Sequence, residues 1–365
     1  MKILQVITSL RMGGAERLVA ELSKRMAEAG DSVEVLLFDG TRTPLYDEVE
    51  SAGVKVNSLA MGESAMHNPL MVFKLRRFLK RNKYDIIHTH NTPCQLLTAL
   101  AAPSKKLVTT EHNTDNRRRS QPVLRAFDRW MYSRYSQIAC VSEETKEKLS
   151  DWLKRKSIDA NVSVIPNGID LVRAENAHPA VDMAEDPRIK ILMVSAFRPQ
   201  KDQMTLIRAM ILLSEEFSLY LAGGAELPAH RAIMDSCRQL ARELGIGHRV
   251  HFLGVRDDVS ELLASCDIAV LSSHYEGFGL FAVEAMASGK VLIASNVEDL
   301  TSLVSGAGLL FPEGDAAKLA ESIRAVSDNP VMARQLSLYG QERARQYDIA
   351  RTVQGYRELY NSINK

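Results

Sequence analysis

Short aliphatic runs alternate with longer amphipathic stretches twice along this chain, and a polar break separates the two series. The first reads KILQVI, SVEVLLF, VKVNSL, DIIHTH, KLVTTEH, QIACVS and VSVIP. The second reads KILMVSA, SLYLAGG, VHFLG, DIAVLS, VLIAS and GLLF. The intervening stretches have helical periodicity; over Glu16–Ala29, for example, Leu18, Leu22 and Met26 fall on one face. Strands that are apolar almost throughout are buried on both sides, as in parallel sheets covered by helices. Two such series predict an α/β protein of two Rossmann-like doubly wound domains facing across a cleft, spanning 1–170 and 171–345 with a linker near 168–188. In sheets of this kind ligands bind beyond the carboxyl ends of the strands, so chemistry is sought in the residues just after each strand.

Bulk properties narrow the class of partner. No apolar run in the 365 residues approaches the ~20 needed to span a bilayer. The opening MKILQVITSLRMGG reads as a strand and loop, not a signal peptide. Cys94, Cys140, Cys237 and Cys266 lack metal-ligand spacing and read as reduced, buried thiols of a cytoplasmic protein. Net charge is +1, but residues 1–170 hold 26 Lys and Arg against 20 Asp and Glu, and the remainder 20 against 25. The near-neutral total, with no aromatics among the basic runs, argues against nucleic acid as a partner.

Several strand-to-helix turns carry polar groups. In SSHYEGFGLFAVEAMASGK, Ser272 to Lys290, the loop Tyr275–Gly279 precedes a helix. Free amides at a helix N-terminus favour a phosphate, and Gly277 and Gly279 let a ligand come close to the backbone. Glu284, about one turn in, is placed for ribose hydroxyls, and Glu276 for whatever lies beyond the phosphates. Complementing the helix dipole would account equally for Glu284, and solvation for Glu276. Arg198 and Lys201, in SAFRPQKDQ, suit a pyrophosphate leaving group, or else a solvated basic loop. Gly13-Gly14 follows the first strand without the full G-x-G-x-x-G spacing, and Asp39 ends the second strand as a ribose acid would. His88 and His90 share a face at the end of DIIHTH, with no further ligands spaced for zinc. His112 follows the next strand, ahead of Arg117–Arg119, placed for a sugar hydroxyl or for a structural bond. Asn167-Gly168, in VIPNGID, supplies a turn at the domain junction.

In this order GGAE, DIIHTH, His112, IPNGID, Arg198/Lys201 and the Glu276–Glu284 pair resemble the retaining, family-4-type nucleotide-sugar glycosyltransferases with the GT-B fold, over roughly Met1 to Arg345. The resemblance implies transfer of a sugar from a nucleoside-diphosphate sugar, UDP- or GDP-linked, to a glycan or lipid-linked glycan, without a cofactor or divalent metal. Arg198 and Lys201 match the donor-diphosphate contacts and Gly14 a glycine near the diphosphate. Glu284 matches the ribose acid. Glu276, with Gly277, Phe278, Gly279 and Leu280, matches the donor-sugar contacts, and His112 the histidine that touches the transferred sugar. Val255 and Arg256 would lie beside the nucleobase. The segment 346–365 would cross back to the first domain.

Two places depart from the family. Phe281 stands where proline is usual, and Glu298, Asp299 and Ser302 replace two glycines and an acid in a loop that often serves the donor. The altered loop keeps open a catalytically silent partner subunit, beside a sugar-nucleotide epimerase on the same fold. The segment Asn68–Lys83 is a basic helix with Met71, Leu75, Phe78 and Leu79 on one side. It reads either as an ordinary covering helix or as a peripheral contact with the inner face of an anionic membrane.

Overall fold

The computed structural model describes residues 1–11, 13–62, 68–102, 106–114, 122–155, 160–225 and 227–363. They divide into two units: Met1–Gly168 with Ile349–Lys365, and Ile169–Asp348.

The first unit is built on seven parallel strands among the described residues: β1 (Lys2–Ile7), β2 (Ser32–Asp39), β3 (Lys55–Ala60), β4 (Ile86–His90), β5 (Leu107–Glu111), β6 (Gln137–Cys140) and β7 (Val162–Val164). Their order is β3-β2-β1-β4-β5-β6-β7. The chain winds one way from β1 to β3 and the other way from β4, so β1/β4 is the switch point where a doubly wound sheet leaves room for ligand. Gln5 lies opposite His88, and His90 opposite Thr110. Side chains alternate along a strand, so these four share a sheet face with Ile3, Ile7, Ile86 and Val108. The helix Ile349–Ile363 packs with that face and buries Tyr356 and Tyr360 completely. The opposite face packs Leu4, Val6, Leu36 and Phe38 against Met71 and Leu75.

The second unit has six parallel strands among the described residues: β8 (Ile189–Val194), β9 (Phe217–Ala222), β10 (Val250–Gly254), β11 (Ile268–Leu271), β12 (Val291–Ser295) and β13 (Leu309–Phe311). The order β10-β9-β8-β11-β12-β13 places the switch point between β8 and β11. The stretch expected to link the domains contains two short helices, Leu171–Glu175 and Val181–Ala184. Ala174, Ala180 and Met183 from this stretch are buried in the second unit's core. Its composition looked polar because each turn contributes only one or two apolar groups.

All four cysteines are buried free thiols. Among the described residues no helix is long and apolar enough to cross a membrane.

Candidate active site

At the second unit's switch point, neighbouring strand ends are joined by side chains. After β8 the backbone runs through Ser195–Phe197 to Arg198 and a single 3-10 turn, Pro199–Lys201. Asp202 then takes a left-handed conformation at φ 44° and caps the helix Gln203–Met210, its Oδ1 accepting from the Thr205 amide at 3.2 Å. The β11 end is stitched to this turn. Ser272 Oγ donates to the Asp202 carbonyl at 2.8 Å and to that of Lys201 at 3.2 Å, and the His274 amide donates to Gln200 at 2.8 Å. With both backbones tied, Lys201 Nζ donates to Glu276 Oε1 at 2.5 Å, and Ser273 Oγ to the same oxygen at 2.7 Å. Lys201 and Glu276 are mostly buried, at 17% and 8% side-chain exposure, so the ion pair is shielded far more than a surface pair.

Glycine permits the close approaches here. Gly279, at φ 82°, precedes the helix Leu280–Ala287, which no side chain caps; a Cβ there would lie 2.8 Å from Leu300 Cδ2. Gly223 follows β9 at φ 153°, and a Cβ would fall 1.9 Å from the Ser195 carbonyl oxygen. That contact holds the β9 turn against the β8 turn, and the Gly pair in SLYLAGG was its unread signal. Gly277, Phe278 and Leu280 are partly buried around the helix start, with the Phe278 ring edge-on to Tyr347 at 5.4 Å between centroids. Glu284 lies in the helix's second turn, also partly buried.

The substituted loop engages this site. After β12, the helix Glu298–Val304 starts with Glu298 and Asp299, and Asp299 Oδ2 accepts from the Glu276 amide at 3.3 Å. A carboxylate thus occupies a hydrogen bond that two glycines have no side chain to make. Val255, 57% exposed, and Arg256 follow β10, at the sheet edge. Arg256 is held by Asp182 and Asp258, and these carboxylates push its pKa upward. Asp182 lies 74 residues away, beyond the reach of any local pattern.

At the first unit's switch point, Gly14 opens the helix Gly14–Glu28. Asn91, left-handed at φ 67°, donates to Thr8 at 3.1 Å and Glu16 at 3.2 Å, tying the ends of β1 and β4 together. Asp39 is not open to a ribose. Burial would raise its pKa, but bonds from Thr41, Gly62 and Arg11 hold the buried carboxylate below its ordinary value. His88 and His90 lie side by side, 4.1 Å between ring centroids. His90 Nδ1 is 3.1 Å from Nε2 of His112, just past β5. Burial pushes His88 and His90 well below the ordinary histidine range and His112 down to about 4, so all three are neutral at pH 7. Among the described residues no cluster of His, Cys, Asp or Glu is arranged to hold a metal. Arg117–Arg119 lie outside the described residues.

The helix Met71–Arg81 is only in part what its pattern suggested. Met71 and Leu75 are buried in the core, and Val72, Phe78 and Leu79 pack against it, so its apolar side is not available to a membrane. Lys74, Arg76, Arg77, Lys80 and Arg81 are exposed, with Leu70 and Phe73 at 61% and 68%.

Two family models match the chain one after the other. Residues 12–173 match Glycosyltransferase Family 4, and residues 175–343 match Glycosyl transferases group 1. The chain belongs to glycosyltransferase family 4. The phosphatidyl-myo-inositol mannosyltransferase of Mycobacterium leprae is 25% identical to this glycosyltransferase, over 96% of this chain and 93% of that one. The UDP-Gal:alpha-D-GlcNAc-diphosphoundecaprenol alpha-1,3-galactosyltransferase of Escherichia coli is 25% identical, over 87% and 86%. The crystal structure of HepE from Anabaena in complex with UDP and glucose aligns with a TM-score of 0.85 at 23% identity, over 99% of this chain and 100% of that one. The fold of this glycosyltransferase is GT-B, two parallel-sheet Rossmann-like units.

Proposed function

We propose that this glycosyltransferase moves a sugar from a UDP- or GDP-sugar to a glycan or lipid-linked glycan, with retention of anomeric configuration and without a divalent metal. The observation that carries this reading is the Lys201–Glu276 pair beside Arg198 and the uncapped helix at Gly279, all at the β8/β11 switch point. A diphosphate entering there meets two cations and a helix N-terminus, which stabilise the negative charge that grows as the glycosidic bond breaks. As phosphate approaches, Lys201 exchanges its carboxylate partner for the ligand. Glu276, kept in place by Ser273, is released to a sugar hydroxyl. Glu284 takes the ribose, Val255 and Arg256 the base, and Gly277 to Leu280 the donor sugar through backbone; in the first unit Gly14 is assigned to phosphate and His112 to a sugar hydroxyl.

Retention follows if the acceptor hydroxyl attacks on the face the diphosphate leaves. The bond from C1 to the β-phosphate oxygen breaks, a bond from C1 to the acceptor oxygen forms, and the acceptor's proton passes to the departing phosphate. Supporting a lipid-linked acceptor are the galactosyltransferase relative, whose name specifies a diphosphoundecaprenol substrate, and the exposed basic face of Met71–Arg81 with Leu70 and Phe73 at its start. This face would rest on the anionic inner leaflet of the membrane, with the protein on the cytoplasmic side.

A panel of UDP-, GDP- and ADP-sugars, assayed with EDTA present and with glycan and lipid-linked acceptors, tests the proposal. One donor is expected to release its nucleoside diphosphate and give a product of unchanged anomeric configuration by NMR. Inverted product, or turnover abolished by EDTA, overturns the corresponding part. The Asp299 contact with the Glu276 amide favours one second reading, a catalytically silent subunit. Tight nucleotide binding without turnover on the whole panel would select it.

A further inference from the structure

The polar groups buried beneath the helix Ile349–Ile363 form one continuous hydrogen-bond chain that ends on the partly exposed His112. It runs from His112 Nε2 to His90 Nδ1 at 3.1 Å, and from His90 Nε2 to Gln5 Oε1 at 2.9 Å. Gln5 Nε2 reaches the Tyr360 hydroxyl at 3.3 Å, which lies 2.7 Å from His88 Nδ1. His88 Nε2 is 2.8 Å from Thr110 Oγ1, which is 2.8 Å from the Tyr356 hydroxyl. We propose that this chain has a single direction, with the ring proton of His88, His90 and His112 on Nε2 in each case. Gln5, His90 and Tyr360 are then positioning residues that present the bare Nδ1 of His112 to substrate.

With the Gln5 oxygen on His90 and its nitrogen on Tyr360, donor and acceptor counts set the direction. A neutral imidazole has one N–H and one lone pair, and a carboxamide oxygen only accepts. Gln5 Oε1 therefore requires the proton on His90 Nε2. His90 Nδ1 can then only accept, so His112 Nε2 donates to it. On the other side the Gln5 amide nitrogen only donates. The Tyr360 oxygen accepts, its hydrogen goes to His88 Nδ1, and His88 Nε2 donates to Thr110, which donates to Tyr356. At His90 and His112 a reversed link would set two donors or two lone pairs face to face, and Tyr360, already accepting from Gln5, has only His88 to take its hydrogen among the described residues. Turning the Gln5 amide over reverses every link and moves all three protons to Nδ1, so the proposal rests on the orientation of that one amide. The low pKa values of the three rings keep them neutral, the condition under which tautomer choice exists.

His112 Nδ1 makes no hydrogen bond among the described residues. With the ring proton on the far side, His112 accepts from a hydroxyl and gives up no proton. It therefore orients a substrate hydroxyl and does not act as a general acid. The substrate half of this inference rests on the function proposed above; the proton arrangement does not.

Two-bond proton–nitrogen spectra of the full chain labelled with 15N-histidine test it, with His88, His90 and His112 assigned by single substitution. The expected result at pH 7 is the Nε2–H pattern for all three. An Nδ1–H or charged ring at any of them overturns the assignment. Tyr360→Phe removes the hydroxyl between Gln5 and His88, and Gln5→Leu reaches the same link from β1. Either is expected to leave His112 as a tautomer mixture and to lower turnover about tenfold, the equivalent of one hydrogen bond. Tyr356→Phe, at the accepting end, is expected to leave the His112 pattern alone. A His112 pattern unchanged by both Tyr360→Phe and Gln5→Leu overturns the relay. The full Nε2–H pattern in a protein that turns over no nucleotide sugar upholds the relay and sinks the proposed function instead.

Discussion

The polar groups at the two switch points are held in opposite ways. In the first unit the three histidines are neutral, in a hydrogen-bond chain that shares its sheet face with the core, and the strand register fixes His88 and His90. In the second the polar groups are ionised and sit on loops, paired as Lys201 and Glu276 across two strand ends. A neutral network satisfied by its own members has no reason to reorganise when a ligand arrives. An ion pair at a ligand site is exchangeable, because an anion of higher charge can take the cation from its carboxylate. The comparison assigns rigid orientation to the first unit and charge compensation to the second.

Lys201→Ala is the most severe test of that division. Turnover is expected to fall by about 10²–10³, the scale for losing one donor to developing charge, as read by nucleoside diphosphate release. Wild-type-like release would place charge compensation elsewhere.

The first unit's neutrality is expected to appear in stability. The pKa of His112 is about 4 in the folded chain and about 6.5 once unfolded. Between these values the unfolded chain binds a proton that the native state refuses, so stability rises with pH and is lost as pH falls from about 6.5 to about 4. His88 and His90 add in the same direction. Thermal melts across this window are expected to fall steeply, and His112→Gln to flatten the slope by up to about 2–3 kcal/mol. A slope the same in both proteins would mean the folded chain does not hold the ring neutral.

The smallest expected effect concerns the surface. Basic charge is concentrated in residues 1–170, and a basic side chain near an anionic leaflet contributes about 1 kcal/mol. Liposomes with anionic lipid are expected to carry the protein in flotation at low salt and to lose it at high salt. Replacing Arg76 and Arg77 by Ser is expected to weaken that retention. Absence of flotation at low salt removes the membrane contact.

What the sequence made legible is what short-range pattern encodes. The thirteen strands among the described residues follow from short β-branched or aliphatic runs, and the turns after β8 and β11 could be located because cations, acids and glycines stand just past those runs. What it concealed lies in long-range pairing. Gln5 meets Tyr360 across 355 residues, and nothing local to either announces a partner. Asp39 has the position of a ribose acid, yet bonds from Thr41, Gly62 and Arg11 occupy it. The apolar stripe on Met71–Arg81 was visible, but whether core or solvent faces it depends on the neighbouring strands.

Calorimetric titration of UDP and GDP into the wild-type protein and the Arg198→Ala/Lys201→Ala double variant tests the central claim most directly. The account predicts saturable binding of one nucleoside diphosphate by the wild type, lost in the double variant while its melting temperature is retained. Equal binding by both proteins, or none by the wild type with any nucleoside diphosphate, would contradict it.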